Sequence, residues 1–524
     1  PGESVCDSFV AGHASNAVSV AVGMARARTL LGKDYKVIAL LGDGALSGGL
    51  AYEGLSDAGD SGEPLMVILN DNGMSITQSV GGVAEHLARQ RLKPQYLSFK
   101  KGYRKVMQSF SLGRVLYRVT HRVKTAIKET LLPCSLFEDM GFTYLGPVDG
   151  HDVKGLTKLM KYAKDLEGPV LLHVRTVKGK GYAPAEAEPD RFHGVGPFEP
   201  RTGEALSAGG MNFSTAFGES LCALAEKDPR ICAVTAAMQP GTGLTDFAHR
   251  FPERFFDVGI AEGHAVTMCA GMAKQGMVPV FAVYSTFLQR SYDMLIHDVA
   301  LQNLHVVFCV DRAGLVGEDG ETHHGVFDVA FLDTIPGMTV LCPANYRELE
   351  QMLDVAIHQI KGPVAIRYPR GGEGAYQAPW DGEDATLLRS GADVTLTGYG
   401  TQVNALLEAA ELLEKDHISA EVIKLNCVTP LPTDLLFRSV EKTQNLWFCE
   451  EVMASNCVGN RVAARLGEAG IRTREIVLRN LGDKVPPQGT VTQLRQMYGL
   501  DAESIAHEIK EVAHREKAAG PASC

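Results

Sequence analysis

Two short apolar runs constrain this chain more than any other feature. Lys36-Val-Ile-Ala-Leu-Leu41 stops at Gly42-Asp43-Gly44-Ala45, and Leu65-Met-Val-Ile-Leu69 stops at Asn70-Asp71-Asn72. Apolar runs of this length, bounded by turn residues, read as buried strands, and Leu46 to Ala58 between them reads as a helix. Strands of this kind separated by helices form a parallel sheet covered on both faces. In such an open sheet, ligands bind beyond the carboxyl ends of the strands. Asp43 stands at one such end and Asn72, 29 residues later, at the next.

The pattern recurs along the chain. Val170-Leu-Leu-His-Val174 is another strand of the first series. A stretch rich in Gly, Pro and charge, Gly194 to Glu204, reads as a linker. Val278 to Val283, Val306 to Val310 and Val364 to Arg367 belong to a second series. After Gly371-Gly372-Glu373-Gly374, a third series contains Asp393 to Thr397, Ala420 to Lys424 and Asn445 to Cys449. A chain of 524 residues exceeds what one core supports. The expected fold is therefore α/β, with three open, mostly parallel-sheet domains at 1–193, 207–374 and 391–524, and linkers at 194–206 and 375–390.

Composition narrows the function. A formal net charge of −11 argues against a nucleic-acid partner. The basic stretch Lys93 to Lys128 reads as a solvated helical surface. The 11 cysteines contain no C-x-x-C pair, which fits a reducing cytosol without structural zinc. No apolar run approaches bilayer length, and the expected location is cytoplasmic.

The chemistry at Asp43 follows from its surroundings. Glycines let the N–H groups of Gly44 and Ala45 approach phosphate oxygens, with a helix N-terminus behind them. A buried diphosphate calls for a divalent cation, and magnesium takes six oxygens in octahedral geometry. Asp43 supplies one, the Asn72 amide a second and a backbone carbonyl at Met74 a third. A plain turn is the simpler explanation of Gly-Asp-Gly alone, since the tripeptide is weak evidence. In the second series, Phe255-Phe-Asp-Val-Gly-Ile-Ala-Glu262 puts a carboxyl group after a strand-like run. Desolvation there raises a carboxyl pKa and suits it to proton transfer. A glutamate favoured by the helix dipole is the plainer reading.

The spacing of Gly-Asp-Gly and Asn-Asp-Asn resembles the thiamine-diphosphate motif of transketolase-like enzymes. Longer runs resemble the 1-deoxy-D-xylulose-5-phosphate synthase family: GHASNAVSVAVGMA from Gly12, GDGALSGGLAYEGL from Gly42, ILNDNGMSI from Ile68 and LFEDMGFTYLGPVDGHD from Leu136. KGKGYAPAE from Lys178, YSTFLQRSYDMLIHDVA from Tyr284, DRAGLVGEDGETHHGVFD from Asp311 and RYPRG from Arg367 extend it over nearly the whole chain. The resemblance implies a homodimer that condenses pyruvate with D-glyceraldehyde 3-phosphate, releasing CO2 and giving 1-deoxy-D-xylulose 5-phosphate. That product feeds isoprenoid, thiamine and pyridoxal synthesis. Thiamine diphosphate and Mg2+ are the implied cofactors.

Residue roles follow from the same resemblance. His13, Ala14, Ser15 and Tyr182 match cofactor contacts, and Phe287 matches a position beside the aminopyrimidine. Glu262 matches the acid bonded to N1′ of that ring. Arg312 and Arg370 match phosphate anchors, with Tyr284 and Arg290 also on the acceptor side. His193 and His323 match active-site histidines, Asp319 a residue near the acceptor, and His264 is a third candidate for proton transfer.

Departures are visible too. Gly263 stands where the family usually has glutamine, and Gly73 where it often has glutamate. The family also carries a segment ahead of Gly-His-x-Ser with at least two active-site histidines. The expected explanation is a sequence shortened at its start, against a separate chain or a weakened relative. Transketolase-type ketol transfer between sugar phosphates and an impaired cofactor-binding relative are the competing functions. Release of pyruvate carbon as CO2 separates the synthase from a transketolase.

Overall fold

The first sheet places the ends of the two diagnostic runs side by side. β1 (Ile38–Gly42), β2 (Met66–Asp71), β3 (Thr143–Asp149) and β4 (Val170–Arg175) are all parallel, in the order β1-β2-β4-β3. Gly42 pairs with Asn70, so the two turns leave adjacent strands at the same level. The computed structural model describes residues 4–74, 136–206 and 210–519, and counts and absences hold among these described residues. The basic stretch Lys93 to Lys128 lies outside them.

Helices Ala17–Leu30 and Gly49–Ser61 cover one face of this sheet through Val18, Val22, Ala25, Leu55 and Ala58. Helix Val153–Ala163 covers the other through Leu156, Leu159 and Met160. Leu55, Val67, Leu69 and Leu171 are fully buried, each contributing about 1.5–3 kcal/mol of transfer free energy.

Three local expectations need correction. β1 is an edge strand, and its Ile38 and Leu40 are 48% and 67% exposed rather than buried. A continuous apolar run does not distinguish an edge from a centre. The helix expected from Leu46 is split: a short turn, Gly44–Ser47, precedes the helix, with Gly48 extended between them. Ser15 packs so closely here that only glycine fits, since a Cβ on Gly48 would lie 2.3 Å from Ser15 Oγ. Within the stretch read as the second linker, Ala385–Arg389 forms strand β11, antiparallel to its neighbour in the third sheet.

The second sheet contains β5 (Ile231–Thr235), β6 (Phe255–Asp257), β7 (Val278–Tyr284), β8 (Val307–Asp311), β9 (Thr339–Leu341) and β10 (Val364–Arg367). β12 (Val394–Tyr399) and β13 (Ala420–Leu425) join β11 in the third. β14 (Cys427–Thr429) then returns to pair antiparallel with β9. β15 (Asn445–Cys449) and β16 (Glu475–Arg479) complete the third sheet. The orders are β14-β9-β10-β8-β7-β5-β6 and β11-β13-β12-β15-β16.

One hydrophobic cluster contains Val283, Phe308 and Val340 from the second sheet together with Ile423, Leu425 and Phe448 from the third. The chain thus divides into two compact units. The first holds residues 1–208 with Gly259–Ala261, and the second, with both later sheets, holds the remainder. No described helix is long and apolar enough to cross a membrane.

Candidate functional site

In the first unit, Asp43 is buried directly after β1, and its backbone N–H donates to Asn70 O at 3.1 Å. Asn72 N–H lies 3.4 Å from Asp43 Oδ1, and Met74 N–H donates to Asn72 Oδ1 at 3.0 Å. The second bond orients the amide oxygen toward the Met74 N–H, and a carbonyl oxygen keeps a further lone pair for a cation. Among the described residues, no three His, Cys, Asp or Glu side chains cluster as a metal site. A cation here would draw on a mixed set of carboxylate, amide and backbone oxygens, which suits magnesium better than zinc.

Ser15 braces this loop from the opposite side. Its φ is +77°, a left-handed conformation that costs a non-glycine residue about 1 kcal/mol or more. Its hydroxyl donates to Ala45 O at 2.8 Å. Gly48 leaves the space that this hydroxyl occupies. His13 and Ala14 immediately precede Ser15, and all three lead into helix Ala17–Leu30.

Behind the turn, Asp71 Oδ2 and His173 Nε2 are 2.9 Å apart and fully buried, and His173 Nδ1 is 2.7 Å from Tyr144 OH. That chain of bonds runs across the centre of the sheet and holds the Asn-Asp-Asn turn from below. Tyr182 packs against Phe192 and Phe198. Its hydroxyl is buried with no hydrogen-bond partner among the described residues, so a polar ligand atom would complete it.

Lys178 was not singled out from the sequence, although it opens the KGKGY run. Its Nζ is 2.7 Å from His193 Nδ1. Partial burial lowers the Lys178 pKa, against the pull of Asp190 and Asp43. Burial and then Lys178 hold the His193 imidazole below its ordinary value of 6.5. With the ammonium donating, Nδ1 accepts and the neutral ring carries its proton on Nε2. Folding lowers this pKa, so the neutral ring's contribution to stability is complete above 6.5 and fades as pH falls through the lowered value. NMR titration of His193 is expected to give a pKa below 6.5 that rises in Lys178→Met. An unchanged midpoint in that variant would show that Lys178 does not act on the ring.

In the second unit, the expected residues gather beyond β6, β7, β8 and β10. Glu262 opens helix Glu262–Lys274 and is 4% exposed. Arg290 Nη1 is 3.4 Å from its Oε2, at the outer limit of a hydrogen bond. Arg290, expected on the acceptor side, therefore lies against the buried acid. His264 is exposed on the same helix.

Tyr284 ends β7 and stacks on Phe287 with ring centroids 5.8 Å apart. Phe287 meets His323 edge-on at 5.5 Å. The Arg312 guanidinium carbon lies 3.7 Å from the centroid of the Tyr284 ring, a close cation–π contact. Burial pushes the Tyr284 hydroxyl up to about 12 while Arg312 opposes it, so it remains a donor at neutral pH. Arg312 has φ +59° and donates through Nη1 to Gly241 O and Asp311 Oδ1. Arg370 pairs with Asp319 at 2.9 Å. The structure thus joins Tyr284, Phe287, His323 and Arg312 in one cluster and Arg370 with Asp319 in a second pair.

Open sheets with their polar residues collected at the carboxyl ends of parallel strands define a transketolase-like α/β protein, and known proteins agree. Residues 209–372 match the pyrimidine-binding domain of transketolase, and residues 383–505 its C-terminal domain. A solved split-gene transketolase, described as an inactive β4 tetramer, is 28% identical with a TM-score of 0.52. It covers 58% of this chain and 98% of its own. The transketolase of Campylobacter jejuni shares the fold at 19% identity and a TM-score of 0.50, over 95% of this chain and 81% of its own.

Residues 1–176 match the family described as 1-deoxy-D-xylulose-5-phosphate synthase. The synthase of Pelotomaculum thermopropionicum is 44% identical over 98% of this chain and 81% of its own length. That of Symbiobacterium thermophilum is 46% identical over 98% and 80%. The chain belongs to the 1-deoxy-D-xylulose-5-phosphate synthase family.

Proposed function

We propose that this chain condenses pyruvate with D-glyceraldehyde 3-phosphate to give 1-deoxy-D-xylulose 5-phosphate and CO2, using thiamine diphosphate and Mg2+. Family membership supplies the reaction. The Asp43–Asn72 pair carries the cofactor assignment, because a carboxylate and an amide side chain stand at the ends of adjacent strands, with the Asn72 N–H 3.4 Å from Asp43 Oδ1. The unpartnered Tyr182 hydroxyl in the same unit fits a polar ligand.

Asp43, Asn72 and the Met74 carbonyl would hold the cation. Gly44, Ala45, His13, Ala14, Ser15 and Tyr182 would hold the diphosphate and thiazolium portions. When bound, thiamine diphosphate supplies an electron sink for decarboxylation. Glu262 would exchange a proton with N1′ of the aminopyrimidine, and Phe287 would offer that ring an apolar neighbour. Arg312 and Arg370 anchor the acceptor phosphate, since guanidinium groups bind phosphate through paired hydrogen bonds. Tyr284 orients Arg312 through its ring. Arg290 lies against the Glu262 carboxylate. In this reading His193 and His323 would each move protons on the substrates, and Asp319, paired with Arg370, would stand near the acceptor.

A homodimer in the cytoplasm is the assembly and location this reading carries. Incubation with pyruvate and D-glyceraldehyde 3-phosphate is expected to release CO2 and form the deoxypentulose phosphate together, followed by mass spectrometry. Ketol transfer between sugar phosphates without CO2 would replace this reading with a transketolase.

A further inference from the structure

The third sheet carries none of the expected site residues, yet a side chain following it completes the loop that does. Beyond β8 the chain runs Asp311-Arg312-Ala313-Gly314-Leu315-Val316, and each backbone amide from Ala313 onward can be assigned an acceptor. Ala313 N–H donates to Tyr368 O at 3.0 Å, and Gly314 N–H to Gly325 O at 2.7 Å. Val316 N–H donates to His324 Nδ1 at 3.2 Å. Leu315 N–H alone in this run reaches the third-sheet region, donating to Glu451 Oε2 at 3.2 Å.

Glu451 lies two residues beyond β15 and is buried. Its other oxygen accepts from Arg495 Nε. Gly314 has φ +81°, and a Cβ there would lie 2.7 Å from Glu451 Oε2. The loop is shaped for a carboxylate at this point and excludes a side chain of its own. A second anchor repeats the arrangement: His324, which accepts from Val316, has its Nε2 3.2 Å from Pro487 O. A Cβ on Gly317 would lie 2.9 Å from Gly489 O.

Both arginines read as phosphate anchors, Arg312 and Arg370, contact this loop. Arg312 sits on it in a left-handed conformation, which a non-glycine residue keeps only where its surroundings impose it. Arg370 donates through Nη1 to Val316 O at 3.3 Å. We infer that Glu451, held by Arg495, is a positioning residue for recognition of the acceptor's phosphate, acting through the Leu315 amide on the loop that presents Arg312 and Arg370. This rests on the reading that those two arginines bind that phosphate.

The test uses the holoenzyme and compares kcat/KM for D-glyceraldehyde 3-phosphate with kcat/KM for unphosphorylated D-glyceraldehyde. Calorimetric affinity for sn-glycerol 3-phosphate gives a readout independent of turnover. Displacing a binding group by about 1 Å costs up to about a hundredfold. Glu451→Ala is accordingly expected to lower the phosphate preference by about tenfold or more, and to weaken sn-glycerol 3-phosphate binding in parallel. Glu451→Gln keeps an acceptor for Leu315 and is expected to recover most of that loss. Arg495→Met, which leaves the carboxylate but not its partner, is expected to fall between them and decides the matter if Glu451→Ala does not fold.

Arg312→Ala separates the two levels of the argument. Loss of phosphate preference in Arg312→Ala, with none in Glu451→Ala or Arg495→Met, would overturn the role of Glu451 alone. Retention of the preference in Arg312→Ala would overturn the phosphate reading and the role of Glu451 with it. An equal fall for both aldehydes in the Glu451 and Arg495 variants would mean general loosening and would also overturn the role.

Discussion

Asp43→Ala is expected to weaken magnesium-dependent binding of thiamine diphosphate by about a hundredfold or more. Outer partners of metal ligands typically contribute about 10–100-fold to metal affinity, so loss of a ligand itself belongs at or beyond the upper end. A hundredfold corresponds to about 2.7 kcal/mol. The cost to folding should be smaller. Asp43 Oδ1 accepts from Asn72 N–H at 3.4 Å, and a bond that long contributes less than the ordinary ~1 kcal/mol. Asp43→Asn keeps the shape and removes the charge, and should lose most of the same affinity. Calorimetric titration of the cofactor at saturating Mg2+, with thermal melts of the cofactor-free variants, separates binding from folding. Affinity at the unsubstituted level in either variant would remove Asp43 from the metal site.

The strand ends were legible because they are local. Gly-Asp-Gly and Asn-Asp-Asn each terminate an apolar run, and parallel pairing of Gly42 with Asn70 then follows from the crossover connection. In the second and third sheets β7, β8, β10, β12, β13 and β15 were legible for the same reason. β3 was not, since Gly146 and Pro147 interrupt its run and its pairing shifts register between Leu145 and Val148.

What the sequence could not show depends on distant partners. The need for glycine at position 48 comes from Ser15, 33 positions earlier in a separate segment. Lys178 matters because the fold brings it to His193 and into the field of Asp43. Arg290 could be matched by motif to the acceptor side, but its neighbour Glu262 is 28 residues away. Glu451 sits in a stretch with no motif, and its partners Leu315 and Arg495 lie 136 and 44 residues away. Residue type and local spacing identify groups able to do chemistry. The side chains that hold those groups in place are identified only by contacts between distant segments.

Glu262→Ala is expected to lower kcat by about 10²–10⁴-fold, the usual range for a positioned acid–base group, while leaving cofactor affinity within about tenfold. The diphosphate end is the charged end of the cofactor and is assigned to other residues, so most of the binding free energy should survive. Glu262→Gln is the sharper variant. It keeps the volume of a side chain that is 4% exposed, but its amide cannot exchange a proton with N1′. It also leaves Arg290, whose side chain is 24% exposed, facing a neutral group, and solvent access keeps the resulting destabilisation small. Hydrogen–deuterium exchange at C2 of bound thiamine diphosphate reads the proton transfer directly. Exchange should slow together with kcat in both variants. If turnover fell while exchange stayed at the unsubstituted rate, Glu262 would be acting on substrate rather than on the pyrimidine. If neither changed, the buried acid at the head of helix Glu262–Lys274 would be a structural cap, as a lone glutamate in that position ordinarily is.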